Sequence, residues 1–149
     1  MVLKGIECMK KISKNGIIIG LIDLIAGLLV GIGPHTIFSV CEAMEGSYMK
    51  CHWTAQAESA IGIGIAILGV LLLFITDKKI SIGVQLAVIV NFVEGLIIAN
   101  YLIGVCGKSH MVCRSLTLPA INVISGVAIV AGIVYIVYLV RKGRINEAI

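Results

Sequence analysis

Four apolar stretches divide this chain, and each is long enough to cross a bilayer. They run over about residues 17–33, 55–75, 80–105 and 116–140. A hydrocarbon core of about 30 Å takes roughly 20 helical residues. Lipid satisfies no backbone hydrogen bonds, so spanning segments must be helices or closed barrels, and four stretches of this length cannot close a barrel. The expected fold is therefore an all-α membrane protein, a single domain over residues 1–149 with four transmembrane helices. A mean hydropathy of +1.09 agrees with lipid rather than water as the solvent of most side chains. Only Thr76-Asp77-Lys78-Lys79 separates the second stretch from the third, which predicts a tight antiparallel turn there.

The few charges set the expected orientation. Lys4, Lys10, Lys11 and Lys14 precede the first stretch, Lys78 and Lys79 occupy the short turn, and Arg141, Lys142 and Arg144 follow the last. The other two connections hold Lys50, Lys108 and Arg114. Nine basic residues against three predict cytoplasmic termini and two outer loops facing away from the cytoplasm. The net charge of +4 forms no basic face with interleaved aromatics, so it marks orientation in the membrane and not a nucleic-acid surface. A cleaved leader is the rival reading of the first stretch, but Asp23 interrupts it and no Ala-x-Ala site follows. A lipoprotein site at Cys41 fails because Phe38-Ser39-Val40 is bulky where small residues are needed.

The two outer loops collect the reactive side chains. Of eight cysteines and histidines, seven lie within residues 34–53 and 106–116: His35, Cys41, Cys51, His52, Cys106, His110 and Cys113. Met44, Met49 and Met111 lie with them. The two windows echo each other. Met49-Lys50-Cys51 and Met111-Val112-Cys113 each precede a helix, with Thr54 and Thr117 expected as N-caps. The chain thus reads as two helical hairpins, each with one cysteine pair in its outer loop. Four cysteines facing an oxidising compartment allow three pairings, of which Cys41–Cys51 and Cys106–Cys113 bracket the shortest loops. Closing such loops contributes about 2–3 kcal/mol by chain entropy. Cys8 falls on the cytoplasmic side as a plain thiol.

Two chemistries fit this composition. Imidazole and thioether ligands at His35, Met44, Met49, His52, His110 and Met111 suit Cu(I) or a His/Met-ligated haem. Neither a Cys-x-x-Cys-His haem attachment nor a zinc spacing occurs. Alternatively, four helices with a cysteine pair in each outer loop resemble the quinone-linked disulfide-forming membrane proteins of bacteria. That resemblance implies thiol–disulfide exchange with a soluble partner and electron transfer to a membrane quinone, with Arg114 beside Cys113 favouring a thiolate. Those proteins carry Cys-x-x-Cys in the first loop, where this chain has nine residues between Cys41 and Cys51.

Polar residues inside the stretches are the remaining candidates. Asp23, Gln85, Asn91 and Glu94 sit among aliphatic residues, and no Lys or Arg lies at their depth. Asn91 and Glu94, three apart, share a helix face. Asp23, Asn91 and Glu94 are expected as interhelical polar contacts or a proton relay, with Asn122 or a histidine as Glu94's partner. Glu58 is expected as a first-turn acid complementing the helix dipole. Gly16/Gly20, Gly27/Gly31 and Ala128/Gly132 are spaced for close helix packing. Trp53, Tyr135 and Tyr138 are expected in interfacial aromatic belts.

The run His35…Cys41-Glu42…Met49-x-Cys51-His52-Trp53-Thr54-x-x-Ala57-Glu58, followed by Ile103-Gly104-x-Cys106…His110-Met111-x-Cys113-Arg114…Thr117-Leu118-Pro119-Ala120, resembles a family of small prokaryotic integral membrane proteins classed as a domain of unknown function. The resemblance implies four spans in a prokaryotic cell membrane and brings no established activity or ligand. The expected function is that of a non-enzymatic membrane protein with a disulfide-stapled outer cap. That cap binds a soft metal or a partner, in the setting of an accessory subunit. No catalytic residue is assigned.

Overall fold

The computed structural model describes residues 14–37, 50–104 and 113–147. Among them there are four long helices and no strand. Helix α1 is Lys14–Thr36, α2 is Lys50–Phe74, α3 is Lys78–Ile97 and α4 is Leu118–Glu147. Five-residue π-helical turns, Ile98–Leu102 and Cys113–Thr117, continue α3 and lead into α4. Each helix contains a segment long and apolar enough to span a membrane: Asn15–Thr36, His52–Phe74, Lys78–Leu102 and Arg114–Arg141.

Local chemistry explains the boundaries. Asp77 is extended and its carboxylate accepts from Lys79 N at 3.0 Å, capping α3 after a connection of three residues. Pro34 lies within the last turn of α1, where its missing N–H removes one hydrogen bond and the helix stops two residues on. At the other end of α3 the hydrogen-bond pattern widens, and Ile103 N and Gly104 N both donate to Ile98 O, at 3.1 and 3.2 Å. Gly104 then takes φ 70°, a left-handed conformation that costs any residue with a Cβ about 1–2 kcal/mol.

Helices in lipid gain nothing from hydrophobicity by associating, so close backbone approach and polar contacts hold them together. The α1–α2 pair shows this most clearly. A Cβ added at Gly27 would lie 2.7 Å from Ala66 N and 2.8 Å from Gly62 O. One added at Gly69 would lie 2.7 Å from Leu24 N, and one at Gly20 would lie 3.0 Å from Gly69 O. The two helices run in opposite directions with their backbones touching. Gly20, Gly27 and Gly31 were expected at such a contact, and their partners are Gly62 and Gly69. Gly132 of α4 takes the side chains of Gln85 and Ile89 of α3. Ala26, Val30, Ile65, Val88, Phe92 and Ala128 fill the interior between all four helices. Outward faces are aliphatic, with Ile18, Ile25, Ile63, Ile67, Val123, Val127 and Val130 more than half exposed.

Several sequence expectations change here. Helix α2 begins at Lys50, so Thr54 lies inside the helix and does not cap it. Glu58 consequently lies past the second turn, fully buried, and not in the first turn. Thr117 ends a π-turn and is buried. Tyr135 is 7% exposed, packed with Ile19 and Leu139, so it belongs to the core and not to an aromatic belt. Trp53 is exposed, at 57%.

Candidate functional site

The connections 38–49 and 105–112 leave from the same end of the bundle, here called the loop end. The contacts there are polar. Thr54 Oγ1 donates to Gly104 O at 2.7 Å, tying α2 to the residue that ends the third span. Asn100, inside the π-turn, donates through Nδ2 to Asn122 Oδ1 at 2.9 Å, and Asn122 Nδ2 returns a bond to Asn100 Oδ1 at 3.3 Å. Asn122 is thus committed to Asn100, which removes it as the expected partner of Glu94.

His35 is held at this end by Ser59 of α2. Its Nε2 lies 2.8 Å from Ser59 Oγ, and the same hydroxyl lies 2.8 Å from both Gly31 O and Ala55 O. A serine hydroxyl has one proton and carbonyls only accept. With that proton directed to a carbonyl, Nε2–H of His35 donates to Oγ, and Nδ1 is the ring nitrogen that this contact does not use. Such a fixed tautomer is how proteins orient a histidine that binds a metal. His52 sits six residues before Glu58 on α2 and meets Trp53 edge-on, with ring centroids 5.9 Å apart.

Cys41, Met44, Met49, Cys106, His110 and Met111 lie outside the described residues. Cys51 and Cys113 are placed as backbone only, in the first turn of α2 and at the start of the π-turn before α4. Among the described residues, no three His, Cys, Asp or Glu side chains are grouped closely enough to hold a metal.

Deeper in the bundle the polar residues separate into distinct environments. Asn91 turns its Nδ2 back to Ala87 O at 2.9 Å, and its Oδ1 lies toward Gly64 of α2. Glu94, three residues on, is exposed on the outer face of α3 beside Val90, Val93 and Ile97. Glu58 is fully buried and faces Gly95, where an added Cβ would lie 3.1 Å from Oε2. Nearer the Asp77 turn, Asp23 of α1 and Gln85 of α3 are both fully buried and face each other. Neither carboxylate oxygen of Asp23 and neither amide atom of Gln85 completes a hydrogen bond. Tyr135 of α4 lies near Asp23 and Ser81.

Sequence reasoning noted Asp23 and Gln85 separately and missed their meeting. It also missed the pairs His35–Ser59, Thr54–Gly104 and Asn100–Asn122. Each joins helices far apart in the chain, and no local spacing signals it.

A family model described as a domain of unknown function, DUF4418, matches residues 23–138. That is well over half of the 149 residues and takes in all four spans, so the chain belongs to this family. No curated protein and no solved structure matches it.

Proposed function

We propose that this member of the DUF4418 family is a non-enzymatic integral membrane protein whose extracytoplasmic cap is stapled by disulfides and binds a soft metal. Its four spans form two hairpins with both termini in the cytoplasm. Cys41–Cys51 and Cys106–Cys113 close the two outer loops. The metal is Cu(I), taken by ligands from His35, Met44, Met49, His52, His110 and Met111; a His/Met-ligated haem uses the same donors.

What supports this reading is the hydrogen bond between Thr54 and Gly104, described residues that flank the two Cys/His/Met windows, together with a nearby histidine held by Ser59. The Thr54–Gly104 contact draws the roots of the two loops together, and Asn100–Asn122 joins the two sides of the second. Ser59 holds His35 through Nε2, and among the described residues no hydrogen bond to Nδ1 is made. A ligand set drawn from two loops needs such a shared anchor, because each loop alone contributes few donors.

Anaerobic titration of the purified chain with Cu(I), in competition with a chromogenic Cu(I) chelator, tests it. The wild type withdraws copper from the chelator, and His52→Ala combined with Met49→Ala abolishes the competition. Failure of the wild type to compete, with no haem absorbance in the purified protein, overturns metal binding.

The setting we favour is an accessory subunit of a larger membrane assembly, and Glu94 supports it. A carboxylate turned toward lipid near the helix centre costs about 2.5–3.5 kcal/mol on insertion scales. A partner helix that offers a hydrogen-bond donor there removes most of that cost. In mild detergent, native membranes release the wild type as a particle larger than the monomer, and Glu94→Leu releases it as a monomer. A wild type that already runs as a monomer contradicts the assembly.

A further inference from the structure

Four polar atoms converge in the interior of the bundle without satisfying one another: both oxygens of Asp23 and both amide atoms of Gln85. The side chains are fully buried, on different helices, and near enough to interact. An acid and an amide brought together only to glue two helices would close a pair of hydrogen bonds, the protonated acid donating its O–H to the amide oxygen and accepting from the amide N–H. Here the pair stays open. Buried groups left unsatisfied in a native interior need a physical reason, and a cation bound among them is one such reason.

The surroundings define what that species is. Ser81 of α3 is 5% exposed and Tyr135 of α4 is 7% exposed, and the two lie near each other and near Asp23. On α2, the residues against this part of α1 are Gly69, Leu72 and Leu73, which carry no charge. Tyr135 is the titratable group facing Asp23, with Tyr138 acting on Tyr135 from the next turn. Among the described residues, Asp23, Gln85, Ser81 and Tyr135 offer one formal negative charge and several neutral oxygens, with no sulfur or imidazole among the four. Oxygen donors of this kind suit small, hard cations. An ionised carboxylate in hydrocarbon is costly unless neutralised.

We propose that Asp23, Gln85, Ser81 and Tyr135 form an intramembrane binding site for one small monovalent cation, a proton or a sodium ion, with Asp23 supplying the charge. Gln85 provides its carbonyl oxygen to sodium, or its amide N–H to the carboxylate when the proton leaves. Glu58 is a different case: it is equally buried and lies against Gly95, and among the described residues neither of its oxygens has a hydrogen-bond partner. The site stands independently of the metal-binding cap.

Infrared difference spectroscopy of the full chain in phospholipid vesicles tests this. The protonated-carboxyl band is followed while pH is raised and, at fixed pH, while choline is exchanged for sodium. The expected result is a carboxyl band that disappears with one of these changes, is missing from Asp23→Asn, and persists in Glu58→Gln. A response to sodium at fixed pH assigns sodium, and a response to pH alone assigns the proton. Gln85→Leu, which keeps the carboxyl, displaces the midpoint by about tenfold in cation concentration, as expected for losing one charge-assisted hydrogen bond or ligand. A band assigned to Asp23 that ignores both cations overturns the site, as does a responding band that vanishes in Glu58→Gln. Should Asp23→Asn fail to fold, an unmoved midpoint in Gln85→Leu overturns it equally.

Discussion

Replacing Gly27 by Ala adds a single methyl group at one of the tight backbone contacts between α1 and α2. That carbon would lie 2.7 Å from Ala66 N, 2.8 Å from Gly62 O and 3.0 Å from Ile65 Cγ2. Two of these three atoms are backbone, so no rotamer change relieves the overlap. Ordinary contact begins near 3.4 Å, so α1 and α2 must part by about 0.7 Å, a gap that forfeits a quarter to a half of each dispersion contact along the seam. Overpacking of this kind costs about 1–3 kcal/mol. In lipid there is no hydrophobic gain to offset it, because both helices stay in hydrocarbon whether paired or apart.

The control is built into the same molecule. Gly83 and Gly126 also lie in spanning helices, yet a Cβ added at either meets nothing within 4 Å. Ala at those positions changes stability by no more than about 0.5 kcal/mol. Reversible unfolding in mixed micelles of increasing dodecyl sulfate fraction, followed by the fluorescence of the single tryptophan Trp53, measures all three. Gly27→Ala is expected to unfold at a clearly lower fraction than Gly83→Ala and Gly126→Ala. Equal midpoints for the three would refute the claim that backbone contact between α1 and α2 holds the bundle.

Three smaller perturbations test other joints by the same unfolding assay. A double-mutant cycle of Asn100→Ala and Asn122→Ala should show a coupling of about 0.6 kcal/mol, the average for interhelical side-chain bonds in a membrane protein; additive effects would mean that the amide pair is not formed. Gly104→Ala should cost about 1–2 kcal/mol from the left-handed backbone alone, and an undiminished midpoint would argue against the φ of 70° at that residue. Asp77→Ala removes the cap on Lys79 N and should lower stability by about 1 kcal/mol, with Asp77→Asn or Asp77→Ser restoring most of it.

The spans were legible because hydrocarbon imposes length and composition directly on the sequence. Their ends were less so. Lys50, Cys51 and His52 are too polar to count as membrane-crossing, yet α2 starts at Lys50, because a helix continues beyond the lipid wherever its own hydrogen bonds allow. That shift of one turn turned Thr54 from an expected cap into an interhelical donor and carried Glu58 into the core. The π-turns on either side of residues 105–112 left no compositional trace. Glycines Gly20, Gly27 and Gly31 were recognisable from their spacing, whereas Gly62 and Gly69, seven apart, were not singled out. The Asp23–Gln85 meeting illustrates the same limit at the site. Both residues stood out as polar among aliphatics, but which helix faces which is a property of packing, and the chain separates them by more than sixty positions. Tyr135 looked like a belt residue by its nearness to Arg141, and only burial against Ile19 and Leu139 shows otherwise.

The account stands most directly on the state and side of its cysteines. Intact cells are treated with a membrane-impermeant maleimide before and after mild reduction, and the chain is then mapped by mass spectrometry. The account predicts that Cys41, Cys51, Cys106 and Cys113 resist labelling until reduced, then label from outside, with disulfide-linked peptides joining Cys41 to Cys51 and Cys106 to Cys113, while Cys8 labels only after permeabilisation. Loop cysteines that label only in permeabilised cells, or that label freely without reduction, would contradict it.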